Sequence, residues 1–132
     1  MSRLLISLEK ILGVIDYEIE LIRQDMGLLA QQIIIREELI EENIKRINTE
    51  RIIASTSVTS ATAIDNYIGK IIEQNSLIQL EINKLSKTVE ELEDNIREKF
   101  RERKTKEQVF TMEKKKVEKD LSLRELKELD EI

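Results

Sequence analysis

The stretch IDNYIGKIIEQNSLIQLEINKLSKTVEELEDNI, residues 64–96, decides the fold. Its periodic positions are Ile64, Ile68, Ile71, Asn75, Ile78, Ile82, Leu85, Val89, Leu92 and Ile96. The steps alternate four and three without a slip, which is the spacing of a helix that buries one seam against another helix. The one polar member is Asn75, and Gly69 falls beside the seam rather than on it. Such a helix needs a partner, and the rest of the chain supplies it.

Residues 3 to 54 read as one long helix, with apolar residues at Leu8, Ile11, Ile15, Ile22, Met26, Leu29, Ile33, Ile40 and Ile47. The lattice shifts between Ile15 and Ile22, where Ile19 is the local member, and this predicts a stutter. Gly13 and Gly27 soften the helix at roughly 1 kcal/mol each but do not end it. Residues 55–63 form the one stretch rich in Ser and Thr, residues that favour turns and caps. The turn is therefore placed at 55–62, with Thr62 as N-cap, Asp65 in the first turn, and a second helix over 63–130. The alternative is one unbroken helix in a parallel dimer.

An antiparallel hairpin pairs residues whose numbers have a constant sum. A sum of 118 sets Ile22 against Ile96, Leu29 against Val89, Ile33 against Leu85 and Ile47 against Ile71, about a pivot at Thr59. The same sum brings Asn43 opposite Asn75, a pair that fixes register. The poor layers are Arg36 opposite Ile82 and Glu50 opposite Ile68; the arginine has a stem long enough to snorkel. Beyond Ile96 the seam weakens to Phe100, Phe110, Val117 and Leu121, with Arg103 and Lys114 between. The fold class is all-α: a single coiled-coil hairpin of two long antiparallel helices.

Composition agrees. Of 132 residues, 37% are charged and 3% aromatic, with no Pro, Cys, His or Trp, unlike an ordinary globular core. Missing Cys and His remove the usual metal ligands, the thiol nucleophile and the neutral-pH acid–base group, so no cofactor is expected. No apolar run approaches the ~20 residues of a membrane span. Met1 to Ile15 is not a signal peptide, because Glu9 and Lys10 interrupt its apolar region. A two-helix coil offers no cleft, so an enzyme is not expected.

Charge is segregated. Residues 1–96 carry a net −7, residues 97–119 a net +5 and residues 120–132 a net −3. The basic block holds only two aromatics, Phe100 and Phe110, and the whole chain is acidic, which argues against nucleic acid and for an acidic protein partner. The first turns hold more apolar residues than one seam uses, among them Leu4, Leu5, Ile6, Leu8, Ile11, Leu12 and Val14. Surplus apolar surface marks a binding face or self-association into a four-helix bundle. A membrane interface is disfavoured by Glu9, Asp16, Glu18 and Glu20.

The sequence also resembles the FliJ family, stalk proteins of flagellar type III export; injectisome stalks of the YscO type are close relatives. The resemblance lies in Glu102-Arg103-Lys104, the basic helix after it, the close from Arg124 to Ile132, and the stretch from Ser60 to Ile68 with its Tyr67. Leu4 to Ile15 is similar to the family's apolar start. The resemblance implies a non-enzymatic coupling rod in the cytoplasm, peripheral to the inner-membrane export apparatus. The end carrying both termini would enter the pore of the hexameric export ATPase. Other parts would contact the cytoplasmic domain of the export gate membrane protein and substrate chaperones. The ATPase contacts implied are Leu5, Leu8, Leu12, Arg101, Arg103, Lys104 and Lys115, with Tyr67 toward gate or chaperone. The competing expectation is a self-associating scaffold coil unrelated to secretion.

Overall fold

A computed structural model describes residues 2–56 and 61–131. Two helices account for nearly all of them: α1, Arg3–Thr56, and α2, Ala61–Asp130, packed against each other as a hairpin. The first begins at a serine cap not anticipated from the pattern, the Ser2 hydroxyl accepting the Leu5 N–H at 3.1 Å. At its other end the Ser55 hydroxyl donates to the Ile52 carbonyl, and the Thr56 hydroxyl to those of Ile52 and Ile53.

The helix ends correct the expected turn. Ser55 and Thr56 continue α1, and Ala61 and Thr62 already belong to α2, so Thr62 is not an N-cap and Asp65 lies beyond the first turn. Alanines at 61 and 63 favour helix and carry the start forward. The expected pivot, Thr59, lies outside the described residues.

The chain divides into two units. The mid-chain unit is Asp25–Leu92, and the terminal unit joins Met1–Gln24 to Glu93–Ile132. In the mid-chain unit Ile47, Ile68 and Ile71 form a buried cluster with Ile64 packed against it, and Ile78 and Ile82 are also buried. Asn43, only 1% exposed, donates to the Asn75 side-chain oxygen at 2.7 Å. Asn43 and Asn75 add to 118, and so do Ile47 and Ile71 of the apolar cluster. Arg36 does snorkel: its guanidinium reaches Glu81 at 2.9 Å and the Gln32 carbonyl at 3.1 Å.

In the terminal unit the least exposed positions of α1 are Leu5, Leu8, Leu12, Ile15, Ile19 and Ile22. Their steps of three and four continue without a break, so the expected stutter does not exist. It came from taking Ile11 as a seam member; Ile11 is exposed and Leu12 holds the place. The α2 seam here also differs from expectation. Its members are Lys99, Arg103, Lys106, Phe110, Glu113 and Val117, whereas Phe100, Lys114 and Leu121 are exposed. The correction follows from keeping the strict four–three count past Ile96 instead of seeking the next apolar side chain.

Gly13, Gly27 and Gly69 lie within the helices at ordinary φ, with open space where a Cβ would stand. No helix among the described residues is long and apolar enough to cross a membrane.

Candidate partner-binding surface of the terminal unit

The terminal unit sets an apolar strip of α1 under charged stems of α2. Leu5 and Leu8 are 6% and 5% exposed, and Ile15 and Ile19 are buried as fully. With the 118 register, Ile19 is matched with Lys99, Ile15 with Arg103, Leu12 with Lys106 and Leu5 with Glu113. The aliphatic stems of Lys99 and Arg103 are matched with Ile19 and Ile15, while their charged heads reach carboxylates at the rim.

The heads find partners at the rim. Arg103 donates through Nε to Asp16 at 2.5 Å and through Nη1 to Glu107 at 2.7 Å. Lys99 pairs with Glu18 and lies 3.6 Å from Glu102. The hydrogen bond to Glu18 holds the Lys99 ammonium above its ordinary value, against a smaller opposing effect of desolvation. The bond to Asp16 does the same for Arg103. The Arg23 guanidinium lies 5.5 Å from the Phe100 ring centre, which occupies that exposed aromatic.

This geometry sorts the residues expected to bind a partner. Leu5 and Leu8 are corrected: they are buried in the seam against α2 and present no free surface, and Leu12 is half-buried with them. Arg103 is half-buried and engaged by two carboxylates. Arg101, Lys104 and Lys115 are exposed and form no ion pair among the described residues. The exposed apolar side chains of α1 in this unit include Leu4, Ile11, Val14 and Leu21. These occupy the turns beside the seam, and the strict seam count would have separated them from it. Tyr67, exposed, lies in the mid-chain unit with Asn43 and Asn75, so the structure does not group it with the basic residues.

Hollows in this unit are surface grooves. One of about 520 Å³ is lined by Lys104, Glu107, Gln108, Thr111 and Met112, all from α2. Another, about 220 Å³, is lined by Lys10, Ile11, Val14, Ile15, Glu18 and Glu102, from both helices. No cluster of three or more metal-binding side chains occurs among the described residues. What the arrangement can do chemically is bind: it offers exposed cations and exposed aliphatic side chains on a helical framework. No family model, no curated protein and no solved structure matches the chain.

Proposed function

We propose that the chain is a non-enzymatic coupling stalk of a type III protein export apparatus, acting through its terminal unit on the export ATPase hexamer. The reading rests on the sequence resemblance to FliJ-type stalks. The observation that carries it furthest is the exposed cation set Arg101, Lys104 and Lys115 in the same unit as exposed Ile11 and Val14. Cations steer encounter with an acidic-lined pore, and aliphatic side chains make the close contacts. Tyr67 in the mid-chain unit is assigned to the export gate or to substrate chaperones, and the place of action is the cytoplasmic side of the inner-membrane export apparatus.

The test is ATP turnover by the export ATPase with the chain added, over a range of ionic strength. The native chain stimulates turnover and hydrolyses nothing itself. Reversing Arg101, Lys104 and Lys115 to Glu weakens stimulation most at low salt, because screening acts over a Debye length of about 8 Å at physiological ionic strength. Ile11→Ser with Val14→Ser weakens it at every salt concentration. Leu5→Ser is not a binding probe, since it opens the seam. Unchanged stimulation by both variants, each verified as helical by circular dichroism, would overturn the assignment of this surface.

A further inference from the structure

Past Val117 the apolar pattern of α2 changes face. Continuing the seam count gives Asp120, Arg124, Lys127 and Glu131, all charged, and every residue from 118 to 131 is exposed. The apolar residues move to a second stripe, Val109, Met112, Leu123 and Leu126, with Lys116 and Lys119 between them. These also follow steps of three and four, so they line one side of the helix. Met112 is 71% exposed and the other three apolar members are exposed as well. Lys116 and Lys119 can lie along this stripe as Lys99 and Arg103 lie along the seam, stem on apolar surface and head at the rim.

The stripe is self-complementary. Read antiparallel with a constant sum of 235, centred between Val117 and Glu118, it sets Val109 against Leu126, Met112 against Leu123 and Lys116 against Lys119. The same overlay opposes two segments of opposite charge. Residues 104–117 carry five basic and two acidic side chains, and residues 118–131 carry six acidic and three basic side chains. We infer that a second copy of this chain covers the stripe, α2 tail against α2 tail, around a two-fold axis between Val117 and Glu118. A two-fold contact of this kind uses each half twice, so each basic segment meets the acidic tail of the other copy. The inference concerns the chain alone and stands or falls independently of the export reading.

The chain has no cysteine, which permits a direct test. Met112 and Leu123 are eleven residues apart on one helix, which places them ~16 Å from each other, too far for a disulfide within one copy. The double variant Met112→Cys/Leu123→Cys is predicted to oxidise to a covalent dimer. Met112→Cys alone and Leu123→Cys alone stay monomeric on gels, because in this register neither residue meets its own copy. Sedimentation equilibrium of the native chain shows a concentration-dependent dimer that weakens in high salt. Leu123→Glu with Leu126→Glu lowers its association by about tenfold or more, on the order of 1.4 kcal/mol. Leu121→Glu, on the opposite side of the helix, leaves association unchanged. A chain that remains monomeric at every concentration overturns the inference. So does cross-linking of the single-cysteine variants as fast as the double, or dimerisation unaffected at Leu123 and Leu126 in variants that stay helical.

Discussion

The two units share one seam spacing and fill it with different chemistry. In the mid-chain unit both helices contribute isoleucines, and the one buried polar side chain, Asn43, is matched by Asn75. In the terminal unit α1 contributes leucine and isoleucine while α2 contributes Lys99, Arg103, Lys106 and Glu113. Burial of α1 is as complete there as anywhere, yet what covers it is flexible stem with heads anchored by rim ion pairs. Exposed ion pairs add little to stability and are screened by salt. The same periodicity therefore gives a rigid interface in one unit and a yielding one in the other. The yielding unit also carries the exposed cations and the surplus apolar stripe, the features a partner would use.

Truncation inside the two seams gives the largest contrast. Ile71→Ala is expected to cost about 3–4 kcal/mol and Ile15→Ala about 2 kcal/mol in urea unfolding, because cavity cost depends on how far the surroundings collapse. Equal costs would break the distinction between rigid and yielding seams. The asparagine pair comes next. Asn75→Leu leaves fully buried Asn43 without its acceptor and is expected to cost about 1–3 kcal/mol. Asn43→Leu costs less, since Asn75 is only half-buried and can turn toward water. Changing both to Leu raises the melting temperature and loosens register or oligomeric state, read by calorimetry and light scattering. A lower melting temperature with one unchanged species would remove the pair from its register role.

Smaller effects sharpen the comparison. Ala at Gly13, Gly27 or Gly69 meets open space, and each is expected to stabilise by up to roughly 1 kcal/mol, measured by urea denaturation. The smallest effect concerns pH. Lys99 is held above the ordinary lysine value of 10.5, so its contribution is complete below that value. It is lost as pH rises through the folded-state value above 10.5. Thermal melts of the native chain should show this loss above pH 10.5, and Lys99→Met should not.

Most of the hairpin was legible because its register is arithmetic. An unbroken four–three lattice in residues 64–96 and a constant sum were enough to align Asn43 with Asn75 and Ile47 with Ile71. The terminal unit was harder to read because its α2 seam is charged. Looking for apolar residues led to Phe100 and Leu121, when the count alone leads to Lys99 and Arg103. The same habit took Ile11 for Leu12 and created a stutter. Apolar abundance near the start did not separate Leu5 and Leu8, which α2 covers, from Ile11 and Val14, which it leaves open. Three-dimensional register makes that separation, since adjacent residues on a helix point about 100° apart.

The most direct test of the difference between the units is residue-resolved amide hydrogen exchange at low and high salt. Slow exchange is expected for residues 40–50 and 68–82. Faster exchange is expected for residues 5–22 and 99–117, with the gap widening as salt screens the Lys99 and Arg103 pairs. Equal protection of the two units, or a terminal unit that exchanges more slowly and ignores salt, would contradict the account.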